Sequence, residues 1–145
     1  MNITRTTAPI PWGRDSEMII LAMSINLEWK EDENRWIVSI REYKQVPYQN
    51  PEPGTPLYYY PTLLQQNGEK YKKKTRTPEQ VNALFTQFNV TIAPGDNFTD
   101  KFRHVIALST IYENQVKPPY AYALNPADLE MVDTTTEVAP EPIIE

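Results

Sequence analysis

Apolar and polar residues alternate from Ile19 to Trp29, and the alternation resumes from Trp36 to Ile40 after a charged turn. A period of two is typical of a half-buried β-strand. Two such runs joined by a short polar turn favour an antiparallel hairpin. We therefore predict that this hairpin supplies one face of the core. The residues expected to be buried on that face are Leu21, Ile25, Leu27, Val38 and Ile40.

A second hairpin is predicted further along the chain. Residues 46–56 contain four prolines, which favour an extended surface loop. Tyrosines at 58–60 then lead to Asn67-Gly68, a dipeptide typical of tight hairpin turns, and to Tyr71 with a lysine run. Pro61 interrupts the first arm, so that arm is expected at a sheet edge or at a bulge.

Two helices are predicted after this hairpin. Thr77, Pro78 and Gln80 form the pattern of a capping box with proline at the first helical position, and residues 78–88 then carry one apolar face. That face, made of Val81, Leu84, Phe85 and Phe88, is expected to pack on the sheet. A second helix capped by Asp96, Asn97 or Thr99 would run to about Asn114. Because residues 104–112 are rich in β-branched side chains, a buried strand stays open as an alternative there.

These elements predict an α+β fold: a small antiparallel sheet built from two β-hairpins, with one or two helices packed on one face and extended N- and C-terminal arms. Residues 1–16 have no sustained period and are interpreted as an arm in which no core element begins. Residues 17–125 are expected to form a single domain. Residues 126–145, rich in Pro, Thr and acids, are expected to be a tail that is disordered in isolation.

Composition narrows the classes of function. The chain has 145 residues, which suits one domain core, and it has no cysteine, which excludes disulfides and thiolate metal sites. The sequence has no signal-peptide pattern and no run of about 20 apolar residues, so we expect the protein in the cytoplasm of the producing cell, away from membranes. Of its 19 acids, six follow Lys117, the last basic residue, leaving 14 basic and 13 acidic residues before that point. The predicted tail is therefore acidic and the predicted domain nearly neutral.

Signals of catalysis are weak. His104, the single histidine, lies in an apolar run where a structural role is the better interpretation. The acids at 31–33 fall in the predicted hairpin turn, and the oxygen-bearing side chains at 96–100 are better explained as helix caps than as calcium ligands. The four glycines are isolated, so there is no phosphate-binding loop. We therefore predict a protein that is not an enzyme and has no cofactor, no metal and no small-molecule substrate.

One basic cluster supports an alternative function. Five basic residues fall within residues 70–76, near several tyrosines, and basic residues interleaved with aromatics hold single-stranded nucleic acid by phosphate contact and base stacking. An edge strand protected from aggregation by lysines explains the same residues and is favoured. The candidate residues are Tyr58, Tyr60, Lys70, Lys72, Lys73, Lys74 and Arg76. Under this alternative, the acidic tail would compete with nucleic acid for the patch.

The favoured function is structural. Trp12 lies in the proline-rich arm, and Ile143 and Ile144 lie in the acidic tail, where no period would bury them inside the domain. Apolar side chains on such arms are expected to bind pockets on neighbouring subunits. We therefore predict an oligomeric assembly protein whose partners are other protein subunits. The general character of the chain is that of a small bacteriophage virion component, such as a capsid, connector, tail or baseplate subunit.

Overall fold

The computed structural model describes residues 1–12, 17–64, 68–114 and 126–141. These residues form nine β-strands and two α-helices. The strands are β1 Asn2–Thr6, β2 Ile10–Trp12, β3 Glu17–Ile19, β4 Leu21–Lys30, β5 Arg35–Lys44, β6 Val46–Pro47, β7 Tyr58–Tyr59, β8 Lys72–Arg76 and β9 Leu129–Asp133. The helices are α1 Pro78–Gln87 and α2 Phe98–Asn114. The predicted α+β class is confirmed.

The main sheet is antiparallel and has the order β8-β5-β4-β1-β9. Its centre is the predicted hairpin of β4 and β5, in which Trp29 lies opposite Trp36 and Ile25 opposite Ile40. A single 3₁₀ turn joins the two strands, and Asn34 closes it with φ at 50°, a left-handed conformation that asparagine tolerates. Two small two-stranded sheets, β2-β3 and β6-β7, flank the main sheet.

The core lies between one face of this sheet and α2. Phe102, Val105 and Ile111 on α2 are fully buried with Leu21 and Met23 on β4. Residues 104–112 are therefore helical, which decides between the helix and strand alternatives. Asn97 caps α2, because its Oδ1 accepts a 3.2 Å hydrogen bond from the backbone N–H of Asp100.

The shorter helix α1 begins as the sequence predicts. Thr77 Oγ1 accepts from the backbone N–H of Gln80 at 3.2 Å, and Gln80 Oε1 accepts from the backbone N–H of Thr77 at 2.9 Å. However, Leu84 on this helix is only half-buried, and Val81 is the residue that α1 buries fully. Leu84, Phe85 and Phe88 nevertheless pack against the core cluster, as predicted, while α2 supplies most of the buried side chains that cover the sheet face.

The first residues of the chain belong to the core. Contrary to the prediction that no core element begins within residues 1–16, β1 lies between β4 and β9. Ile3, Thr4 and Thr6 are buried, and Thr6 Oγ1 accepts a hydrogen bond from the backbone N–H of Leu21. Threonine suits this position because its branched side chain packs in a strand while its hydroxyl finds a backbone partner.

The predicted acidic tail also contributes a strand. Within residues 126–141, β9 pairs with β1 along all five of its residues, and Leu129 is buried in the core cluster. Ala139 is buried as well, and its backbone N–H donates to the carbonyl of Thr55 at 2.9 Å. The prediction of a tail that stands apart from the domain is therefore wrong for the described part of this segment.

The second predicted hairpin pairs differently. Its first arm does not pair with β8 in the described residues; instead β7 pairs with β6, and Thr62 forms a bridge to Tyr43 on β5. The second arm, β8, pairs with residues 36–40 of β5. The two arms thus occupy successive parts of the same edge of β5, which a local turn signal cannot reveal. Asn67 lies outside the described residues.

Candidate functional site

The lysine run at residues 70–76 is divided by the alternation of strand β8. Lys72, Lys74 and Arg76 lie opposite Ile40, Val38 and Trp36, on the same side of the sheet as α2. There Lys72 Nζ lies 3.5 Å from Glu42 Oε1, and Lys74 Nζ lies 2.6 Å from Glu113 Oε2. Arg76 Nη2 lies 3.7 Å from the other oxygen of Glu113. These three cations are therefore paired with acids of the same chain.

The tyrosines of the candidate patch belong to another cluster. Tyr60 is half-buried, and its hydroxyl lies 3.1 Å from Arg5 Nη1 and 3.1 Å from Glu137 Oε1. The ring of Tyr58 has the Arg5 guanidinium carbon 6.0 Å from its centroid. The structure thus assigns both tyrosines to the surroundings of Arg5, not to the lysine run.

Arg5 is the centre of a polar network that joins both ends of the described chain. Nη1 and Nη2 each lie 2.8 Å from one oxygen of Glu137, and Nε lies 2.7 Å from Glu130 Oε1. Gln45 Oε1 accepts a further 2.7 Å hydrogen bond from Nη1. The Arg5 side chain is only 12% exposed, so these are charge-assisted bonds with little solvent competition. The sequence interpretation missed this network.

The network shifts two pKa values. Burial lowers the pKa of Arg5, but the bonds to Glu137 and Glu130 outweigh it and raise that pKa above its usual range. The pKa of Tyr60 is raised to about 12, chiefly by burial and then by its bond to the Glu137 carboxylate. Both groups therefore stay protonated at neutral pH.

An aromatic cluster emerges at the hairpin end of the sheet, and we call it the aromatic surface. It consists of Trp29, Trp36, Phe85 and Phe98. Trp36 has its ring centroid 5.2 Å from that of Trp29 and 6.2 Å from that of Phe98, and Phe85 stacks on Phe98 at 6.0 Å. Trp29 is 39% exposed and Phe98 is 40% exposed. Beneath them, the buried ring of Phe102 meets Trp36 edge-on at 5.2 Å.

The other side of the main sheet has a polar region that neither helix covers, and we call it the open face. Across β4, β5 and β8, one row of paired residues is Asn26, Ser39 and Lys73, and the next row contains Ser24 and Arg41. Tyr71, directly before β8, is 49% exposed beside Arg41. Two adjoining clefts of about 350 and about 490 Å³ share Arg41, Tyr71 and Lys73, and the larger one also includes Lys70 and Glu69.

The remaining site predictions have separate outcomes. Trp12 is half-buried and packs against the main core cluster, so its own domain supplies its pocket. Ile143 and Ile144 lie outside the described residues, and their partner-binding role stays a prediction. His104 is half-buried on α2. Over the described ranges, no group of three His, Asp or Glu side chains is placed to bind a metal ion.

Neither described helix combines the length and apolar character needed to span a membrane. No known family model matches the chain, and comparisons with curated proteins and with solved structures find no match either.

Proposed function

We propose that this chain is a non-enzymatic subunit of a larger protein assembly and that the aromatic surface is where it binds a neighbouring subunit. Within the assembly class, a small component of a bacteriophage particle is the finer proposal, and it rests on the general character of the sequence. The observation that supports the binding role most directly is the exposure of Trp29 and Phe98 at the edge of one continuous aromatic cluster.

The chemistry of the aromatic surface favours protein as the partner. Trp and other large aromatic residues are enriched in the centres of protein interfaces, where a few such side chains provide most of the binding free energy. Here the exposed rings rest on Trp36 and Phe102, which are held by the core. Little side-chain entropy is lost when rings held in this way bind a partner, so their contacts stabilise a complex efficiently.

The described parts of the terminal segments belong to the fold of the subunit. Because β1 and β9 complete the main sheet and the Arg5 network joins them, their described residues stabilise the subunit itself. The proposed contact therefore moves from flexible arms to a preformed surface. Such a surface fits a subunit that is folded before it assembles.

Site-specific photo-crosslinking in the producing cell tests this proposal. A photoreactive phenylalanine analogue at Phe98 is expected to give covalent adducts with one or a few defined proteins, including other copies of this chain. The matched control is the same analogue at Tyr112, which is 53% exposed near the other end of the same helix. Equal labelling at the two positions, or no protein adduct at Phe98, would contradict the proposal.

A further inference from the structure

We infer that the open face binds single-stranded nucleic acid, with Arg41, Lys70 and Lys73 contacting phosphates and Tyr71 stacking on a base. This site differs from the patch that the sequence indicates, because Lys72, Lys74 and Arg76 lie on the opposite side of the sheet and are paired with acids. It is also separate from the aromatic surface.

The first argument is charge. Arg41, Lys70 and Lys73 are exposed, and none of the salt bridges between described residues involves any of them. Among the described residues that line the clefts, Glu69 is the one acid, so these residues carry a net positive charge. This local charge differs in sign from the formal net charge of the whole chain, which is −5. A concentrated positive region on an acidic protein is suited to a polyanion.

The second argument is the shape of the floor. Ser24, Asn26 and Ser39 are short side chains on a sheet surface where β-branched residues would be more typical. These short side chains form the floor of the cleft, and the longer side chains of Arg41, Tyr71 and Lys73 line it as well. Hydroxyl and amide groups on the floor can donate to and accept from base edges or sugars, so the clefts offer both phosphate contacts and polar contacts to the nucleoside.

The third argument selects single strands among nucleic acids. The ring of Tyr71 is 49% exposed, and stacking on an aromatic ring requires a base that is free of its own duplex neighbours. The clefts extend over three adjacent strands, roughly 10 Å from β4 to β8 at ordinary strand spacing, which suits a few nucleotides lying flat. This combination of a basic track with a stacking platform is typical of single-strand binding.

An acidic peptide is the competing anionic partner, and the most accessible one would be the acidic segment of another copy. Two of its acids, Glu130 and Glu137, are already bonded to Arg5, and Asp133 accepts hydrogen bonds from Thr135. These acids are therefore engaged within their own chain. The same contacts argue against the predicted competition between the acidic tail and nucleic acid for the described residues.

Fluorescence anisotropy with labelled oligo(dT) tests the inference on the full chain across a range of salt concentrations. Three phosphate contacts predict a slope of log K against log salt of about −2 for a single strand. The variant Arg41→Gln/Lys73→Gln is expected to bind about tenfold more weakly or worse at low salt and to have a slope of about −0.7, since one contact remains. Tyr71→Ser should weaken binding about tenfold without changing the slope.

The control variant is Lys30→Gln/Arg35→Gln, which removes the same charge from the hairpin end, about 14 Å from Lys73 and about 20 Å from Arg41 along the strands. It should bind like the parent protein, and thermal melting should show that all variants are folded. Absence of binding by the parent protein at low salt would overturn the inference. So would equal weakening in the control variant, or equal or tighter binding of polyglutamate or of duplex DNA.

Discussion

Arg5 and Glu137 form a two-point ion pair in which Nη1 and Nη2 of the guanidinium each lie 2.8 Å from one carboxylate oxygen. The two residues are 132 positions apart in the sequence. Their pairing joins β1, inside the main sheet, to the segment that follows β9. The described terminal segments are thus fastened to one another across the face of the sheet that α2 does not cover.

Replacing Arg5 should destabilise the fold. Arg5→Ala leaves the Glu137 carboxylate without its partner in a site where its side chain is 18% exposed, and a loss of about 1 to 3 kcal/mol in the free energy of unfolding is expected. Urea unfolding followed by circular dichroism measures it. The matched control is Arg35→Ala, which breaks an exposed pair with Glu33 and should leave the urea midpoint almost unchanged. A similar change of the urea midpoint in both variants would show that the Arg5 network stabilises the fold no more than an exposed ion pair does.

The Tyr60 hydroxyl should lose its proton at a higher pH than an ordinary tyrosine. Its pKa is raised to about 12 in the folded protein from its ordinary value of 10.0. Because the folded state holds this proton more tightly, the contribution to stability is complete below pH 10 and is lost as pH rises towards 12. NMR of ¹³C-labelled tyrosine, with Tyr60→Phe to assign the signal, measures the titration. A midpoint near 10 would show that the Tyr60 hydroxyl is neither buried nor bonded to the Glu137 carboxylate.

The helix α2 should contribute more to the core than α1. Phe102 is fully buried and meets Trp36 edge-on, so Phe102→Ala is expected to cost about 3 to 5 kcal/mol. Leu84 is half-buried on α1, and Leu84→Ala should therefore cost less than about 2 kcal/mol. Chemical denaturation of both variants gives the comparison. A larger loss for Leu84→Ala would reverse the assignment of the main core helix.

Shortening either end should also be informative. Deletion of residues 1–6 removes β1 from between β4 and β9, and the remaining chain is expected to lose its cooperative thermal transition. Removing residues 142–145 retains every contact discussed above and is expected to preserve the transition. Circular dichroism melts report both outcomes. A shortened chain that lacks β1 but melts normally would mean that the terminal strand is only an addition to an independent core.

The sequence predicts the elements whose signals are local. The alternation in β4 and β5 and the capping box at Thr77 each depend on neighbouring residues, and both appear as expected. The same period of two applies to the lysine run of β8. It places Lys73 on one side of the sheet and its two neighbours, Lys72 and Lys74, on the other. Considering that run as a strand and not as a cluster would have separated the paired from the unpaired cations.

Strands β1 and β9 are harder to recognise. In β1 two of the three buried residues are threonines, and β9 has a single buried residue, Leu129, so neither has a strong hydrophobic period. Their pairing with each other is a contact between opposite ends of the chain, which no local pattern encodes. The Arg5 network and the contact of Trp36 with Phe98 are non-local in the same way. Such sites become visible only once the fold brings the residues together.

The mass of the complex isolated from the producing cell tests the central proposal most directly. Native mass spectrometry of the tagged full chain should give a complex larger than the 16.8 kDa subunit, containing defined numbers of protein chains. The variant Trp29→Ser/Phe98→Ser should be folded and should be recovered as the free subunit. A parent protein recovered only as a single chain, or a variant whose complex has the same mass as that of the parent, would contradict assembly through the aromatic surface.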